Sequence, residues 1–208
     1  NPTPDVIQPA DQSLCNGSTT TAINFTGAVS GTIYNWTNSD PSIGLAAGGT
    51  GNIAAFTAIN NTSAPVTATI TVTPTANNCP GIPKTFTITV NPTPDMAQPD
   101  NQELCKNAPT ASVIFTGSVS GTTYNWANNN TLIGLAAIGT GNIPSFTTTN
   151  NTNAPLVATI TVTANANGCS IPSKVFTITV NPTPDVIQPA DQSLCNGSAT
   201  TSINFTGG

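Results

Sequence analysis

The sequence predicts an all-β chain of tandem immunoglobulin-like sandwiches, about seven strands each, arranged end to end as a rod. Three observations predict it. The string NPTPD begins at Asn1, Asn91 and Asn181, so a unit of 90 residues repeats. Inside each unit, β-branched and aromatic residues alternate with Thr and Asn at period two, the pattern of half-buried antiparallel strands. Between units the chain passes two prolines separated by one residue, which hold the backbone extended.

Residues 1–90 and 91–180 agree at 54 of 90 positions without a gap. Residues 181–208 agree with 1–28 at 25 of 28 positions, but with 91–118 at only 15. The third unit is thus nearer the first than the second, as duplication of a two-unit block would leave it. Three segments are expected: a domain at 1–90, a domain at 91–180, and the N-terminal part of a third at 181–208. Part of a sandwich cannot bury a core, so 208 residues read as an excerpt of a longer array.

The first unit supplies the elements in order. Strand A is expected near 4–9, ahead of the cysteine. Strand B, 20–26, carries TAINFTG with Ile23 and Phe25 on one face. Strand C, 32–37, places Tyr34 and Trp36 on one face. Strands D (42–46) and E (52–58) flank GGTGN, which reads as a turn and lacks the lysine and helix of a phosphate loop. Strands F (66–73) and G (84–90) alternate most strictly: Ile70 and Val72, then Phe86, Ile88 and Val90, each spaced by Thr. GAVSGT, NSDPS, INNTSAP and ANNCPG punctuate the runs. Seven strands at this spacing are the signature of an immunoglobulin-like sandwich.

A Trp on strand C is expected in the core between the sheets. The expected core aromatics are Phe25, Tyr34, Trp36 and Phe86, with Phe115, Tyr124, Trp126 and Phe176 as their second-unit counterparts. The functional alternative for the tryptophans is a sugar-stacking platform. At the junctions, Pro92 with Pro94 and Pro182 with Pro184 predict a short stiff linker, each domain then adding about 35–45 Å to the rod.

The five cysteines follow the repeat: Cys15 and Cys79, Cys105 and Cys169, then Cys195, whose partner would fall beyond residue 208. No close pair or histidine makes this a zinc pattern. Regular spacing reads as disulfides and an oxidising, extracytoplasmic location; buried free thiols are the alternative. Pairing inside a unit, Cys15 with Cys79 and Cys105 with Cys169, is the default. Pairing between units, Cys15 with Cys169, is the rival, because Cys15 precedes strand B at one end of a domain and Cys79 sits in the F–G loop at the other.

Composition removes most chemistry. The chain has 3 Lys and Arg together, 8 acidic residues, no His, and a net charge of -5. Nucleic-acid binding lacks its basic patch, and histidine-based metal, acid–base or triad chemistry is excluded. Asp5, Asp11, Asp95, Asp100, Glu103, Asp185 and Asp191 gather loosely near the junctions and read as solvated turn residues. A junction Ca²⁺ site, which needs 6–8 oxygen ligands with several carboxylates among them, is the alternative. Asp40 has no acidic counterpart in the second unit, where Asn130 stands, so no carboxylate pair recurs. No catalytic constellation, cofactor site or membrane span is found, and the chain is not expected to be an enzyme.

The junction NPTPD, the LCNGS step, FTG, YNW, IGLAAxGTGNI, ATITVT, NxC and KxFTITVNP together resemble the PKD-like, immunoglobulin-fold repeats of Bacteroidota surface proteins. The whole chain takes part, and the likeness extends to giant gliding adhesins of the SprB type, exported by the type IX system. This resemblance implies an extracellular, outer-membrane-attached filament or stalk that touches a substratum, with neighbouring repeats and an external surface or polysaccharide as partners. Two other readings stand beside it: a glycan-binding accessory module, and a filament subunit that polymerises by strand complementation.

Overall fold

The computed structural model describes residues 2–207. Six strands form in the first repeat: β1 (Gln12–Cys15), β2 (Ile33–Asn38), β3 (Gly48–Thr50), β4 (Val66–Ala76), β5 (Cys79–Pro80) and β6 (Lys84–Asn91). Six form at the same places in the second: β7 (Gln102–Cys105), β8 (Thr123–Asn128), β9 (Ile138–Thr140), β10 (Leu156–Ala166), β11 (Cys169–Ser170) and β12 (Lys174–Asn181). Each set makes one sheet, in the order β1-β6-β4-β2-β3 with β5 on β4, and β7-β12-β10-β8-β9 with β11 on β10. The fold is all-β and immunoglobulin-like.

The alternating strands build the sheet centre as their pattern requires. β4 and β6 pair antiparallel from Val66↔Val90 to Val72↔Lys84, with Ile70 opposite Phe86. Ala68, Ile70, Val72, Ile88 and Val90 are fully buried on one face. The intervening threonines point outward, where Thr67 and Thr89 join hydroxyls across the strands at 2.9 Å. Opposite lies a second layer from segments 19–25 and 53–58, whose Ile23, Phe25, Ile53 and Ala58 complete the core. Phe25 ties the layers, its ring 5.7 Å from Tyr34 and 6.4 Å from Phe86.

Four expected strands differ, each for a local reason. Segment 4–9 contains Pro4 and Pro9, which cannot donate to a ladder; it forms no strand, and β1 starts after it, pairing parallel with β6. Segments 20–26 and 52–58 meet through only two isolated bridges, Thr19↔Thr57 and Ile23↔Ile53. Thr20 N–H also donates to Phe56 O at 2.9 Å, and side chains supply two further acceptors: Asn52 Oδ1 accepts from Phe25 N–H at 2.9 Å, and Thr20 Oγ1 from Phe56 N–H at 3.0 Å. The expected strand at 42–46 is instead a 3-10 turn, Pro41–Ile43, capped by Asp40 and closed by Gly44 at φ 93. The strand that follows lies in the stretch read as a turn. Gly49 of β3 faces the Trp36 ring, and a Cβ there would stand 2.5 Å from it, so only glycine fits.

Residues 182–207 contain no strand, but they keep local contacts of the first repeat. Ile187 N–H donates to Thr206 O at 2.8 Å, as Ile7 N–H does to Thr26 O. Phe205 is 74% exposed where its counterpart Phe25 is 5% exposed.

The two faces of β4 carry unequal weight. Ile70→Ala should lower the unfolding free energy by about 2–5 kcal/mol through lost burial and a cavity. Thr67→Ala on the outer face should change it by about 0.5 kcal/mol. Urea denaturation of both variants reads the difference, and equal losses would contradict this assignment of faces.

Candidate functional site

The described residues divide into two compact units that cut across the sequence period. The first holds the chain up to Ala97 together with Thr116–Tyr124 and Thr163–Pro172. The second holds Gln98–Phe115, Asn125–Val162 and the residues from Ser173. A loop and a hairpin tip of the second repeat therefore belong to the same unit as the first repeat. The candidate site lies inside that unit, where the only disulfide among the described residues forms.

Two turns of chain chemistry deliver its sulfurs. β1 runs parallel to β6 in a register that sets Cys15 beside Asn91, and Asn16 N–H donates to Asn91 O at 2.9 Å. At the other side, β10 turns into β11 through Asn167 and Gly168, with φ 52 and 79. Two consecutive left-handed residues make the tight hairpin that Asn-Gly favours, and Cys169 follows directly, paired with Ala166. The Cys15–Cys169 bridge has a Cα–Cα distance of 5.7 Å across 154 residues of sequence. Beside it, Asn91 Nδ2 donates to Asn167 O at 3.3 Å and to Ser13 Oγ at 3.3 Å.

This corrects the default pairing within a repeat. Cys79 and Cys105 are free and exposed, as is Cys195. The register explains why Cys15 cannot reach Cys79. Cys15 pairs with Asn91, next to Val90↔Val66, whereas Cys79 pairs with Ala76, ten residues farther along β4. Ten strand residues span about 33 Å, against the roughly 7 Å limit of a disulfide. In the second repeat Cys105 pairs with Asn181 and Cys169 with Ala166, at opposite ends of the equivalent strands. The Asn-Gly step ahead of Cys169 is the sequence signal that marks a hairpin there.

The proline linker is part of this unit. Pro92, Pro94 and Met96 are buried, alternating with exposed Thr93, Asp95 and Ala97 as in an extended segment. Ala97 N–H donates to Thr116 O at 2.9 Å. The Asp95 carboxylate accepts from the Ser118 N–H and, at 3.0 Å, from its hydroxyl. Those bonds hold the Asp95 carboxyl below its ordinary range. Gly117 lies against this aspartate: a Cβ would come 2.3 Å from Asp95 O and 2.9 Å from the Tyr124 hydroxyl. The conjunction of NPTPD with FTG is thereby a packing requirement, repeated where Gly27 meets Asp5. Pro182 is half-buried and Pro184 exposed.

The remaining expected site residues are placed as follows. Phe25, Phe86, Phe115 and Phe176 are buried, Tyr124 is buried and Tyr34 half-buried. Trp36 and Trp126 are each 8% exposed, so neither presents a ring face for stacking. Trp126 Nε1 donates to Gly141 O at 3.2 Å, while the Trp36 indole N–H has no acceptor. Acidic residues near the repeat starts cap backbone: Asp5 accepts from Ala28 N–H at 2.7 Å and Asp11 from Thr87 N–H at 2.6 Å. Among the described residues no three His, Cys, Asp or Glu side chains gather to hold a metal. Among them, too, no helix is long and apolar enough to cross a membrane.

Comparison with known proteins agrees with this architecture. Residues 10–94 match the PKD-like domain. No curated protein sequence matches the chain. Among solved structures, an E-to-A variant of titin domains I67–I69 aligns with a TM-score of 0.55 at 13% identity, over 98% of this chain and 75% of that one. Sidekick-1 immunoglobulin domains 1–4 align at 0.49 and 12% identity, over 86% of this chain and 48% of that one. Human CDH23 EC21–23 aligns at 0.44 and 12% identity, over 99% and 80%. The titin likeness shows an immunoglobulin-like fold for this chain.

Two measurements check the site. Non-reducing peptide mapping should find Cys15 joined to Cys169 and alkylate Cys79, Cys105 and Cys195; a Cys15–Cys79 peptide would overturn the register argument. Burial first, and then the charge of Asp5 or Asp95, raises Tyr34 and Tyr124 above the ordinary tyrosine range. The folded state thus holds these protons more tightly than the unfolded chain. Their contribution is complete below pH of about 10 and is lost as pH climbs through the raised values. These are the chain's only 2 tyrosines, so phenolate absorbance reads them directly. Titration at the unfolded position would contradict the burial.

Proposed function

We propose that this chain is part of the structural and adhesive repeat region of a large cell-surface filament or stalk, its repeats at 1–90, 91–180 and 181–208 forming consecutive units of one rod. The observation that carries this reading is the Cys15–Cys169 bridge, which ties the first repeat to the hairpin of the repeat that follows it. A chain that fastens successive repeats covalently is suited to bear load. The bridge also fits an oxidising, extracytoplasmic location, and the buried proline linker suits a spacer that resists bending.

The outer surface fits the same role. Threonines line the outward strand positions and only 5% of residues are charged, a composition suited to contacts with neutral polymers. The resemblance to Bacteroidota surface repeats specifies the rest of the proposal: attachment at the outer membrane, export by the type IX system, and contact with the substratum during gliding. The buried tryptophans give no support to a glycan-stacking module, and no catalytic role is assigned.

Pulling the chain from its ends tests the load-bearing reading. Force entering at the N-terminus passes through the cystine to Cys169, so the chain between them, a sequence separation of 154, is shielded. Reductant should lengthen the fully stretched chain by about 500–550 Å, at 3.3–3.6 Å per residue. A stretched length that reductant does not change would overturn it. Antibody to the chain should label intact cells of its source; label only after lysis would refute the surface location.

A further inference from the structure

The single bridge leaves three repeat-equivalent cysteines open. Cys105 stands in the second repeat where Cys15 stands in the first, and Cys79 stands in the first where Cys169 stands in the second. The backbone around each pair is matched. Cys105 pairs with Asn181 as Cys15 does with Asn91, and Lys106 N–H donates to Asn181 O at 2.9 Å as Asn16 N–H does to Asn91 O. Cys79 faces Ala76 across Asn77 and Asn78, φ 49 and 61, as Cys169 faces Ala166 across Asn167 and Gly168. Cys195 repeats the first pattern again: Ser198 N–H donates to Cys195 O at 3.0 Å, as Ser18 N–H does to Cys15 O. All three open thiols are exposed.

We propose that Cys79, Cys105 and Cys195 are modification sites that form disulfides with flanking repeats of the same type, making a ladder in which every complete repeat carries two bridges. The strand-end cysteine of each repeat joins the hairpin cysteine of the next: Cys105 and Cys195 take hairpin cysteines, and Cys79 takes a strand-end cysteine. This rests on the repeat-array reading. Each bridge removes two protons and two electrons from a thiol pair. The oxidant is a disulfide such as oxidised glutathione: one thiolate attacks it and expels one glutathione thiolate, leaving a mixed disulfide, and the second thiolate then expels the other, so each cystine releases two glutathiones.

The ladder has a mechanical consequence that one bridge lacks. From Cys169 the chain runs only 26 residues to Cys195, where the next bridge would begin. The covalent path through two repeats is therefore 26 residues and one cystine, about 90–100 Å at 3.3–3.6 Å per residue. Unbridged, the same two repeats would stretch to about 600 Å. The bridged path nearly equals the 70–90 Å or so that two sandwiches of this size span when folded. A laddered array can hardly lengthen, even where individual sandwiches are unfolded by force.

The test completes the third repeat. The 208-residue chain is extended with a second copy of residues 29–90, refolded with oxidised glutathione, and mapped without reduction. Cys105 should be joined to the new hairpin cysteine, Cys15 to Cys169, and Cys195 should alkylate. In the same chain Cys105→Ser should leave the new cysteine free. If the new cysteine instead pairs with Cys195 or stays free while Cys15–Cys169 forms, the ladder is refuted and the array reading survives. If Cys15–Cys169 is also missing, the fastening of the array fails as well. A second variant does not depend on the extension: Cys15→Ser in the 208-residue chain should leave Cys169 free. Transfer of Cys169 to Cys105 would overturn the proposal, because strand-end and hairpin cysteines of one repeat would then be within reach.

Discussion

The antiparallel pairing of β4 with β6 is the constraint on which the first repeat depends. With so few charges, the chain has almost no ionic means of choosing a register. It relies on alternation: a slip by one residue would turn Ile70, Val72, Phe86 and Ile88 outward and bury a row of threonine hydroxyls. The observed register, Ile70 opposite Phe86, keeps every apolar side chain on the core face. Everything else is positioned from that pair. β1 lies along β6, β2 along β4, and the facing layer packs its Ile23, Phe25 and Ile53 onto the apolar surface they make.

The same register sets the chemistry of the cysteines. A long strand separates its two ends by about 3.3 Å per residue, so one cysteine beside the end of β6 and another beyond the end of β4 face away from one another. A repeat built this way cannot close on itself, and Cys15 pairs instead with Cys169 of the repeat that follows. The second layer is held differently. Asn52 and Thr20 supply side-chain acceptors where a regular ladder would use carbonyls, and Asn60, buried, donates to Val90 O at 2.7 Å and Ala64 O at 2.9 Å. Buried amides satisfied in this manner confer specificity at little cost, since each polar atom has a partner.

Asn therefore does more than the turn-forming expected of it. It occupies left-handed positions at Asn77, Asn78, Asn107 and Asn167, caps the second repeat's 3-10 turn, Thr131–Ile133, at Asn130, and at Asn52 replaces a backbone acceptor. Threonine mostly covers the outer faces with a β-favouring neutral group, while Thr20, Thr110 and Thr148 are buried and hydrogen-bonded. Edge strands protected by so little charge are prone to pair with other sheets. The prolines ahead of β1 and the shortness of β3 limit that hazard here.

The sequence by itself determined the repeat, the all-β class, the strands at 66–73 and 84–90 and the inward face of each, because period and alternation are local properties legible residue by residue. It also marked the aromatic residues that the structure buries. It did not decide where short segments would ladder: 20–26 and 52–58 alternate well, but their backbone bonds are interrupted where Phe25 and Phe56 donate to the Asn52 and Thr20 side chains, which approach only after folding. Nor did it decide the cystine. Both pairings fit the 90-residue spacing, and the choice depends on how far apart the two ends of β4 lie and on a hairpin from the next repeat. Those are distances between residues remote in sequence, and only the tertiary structure supplies them.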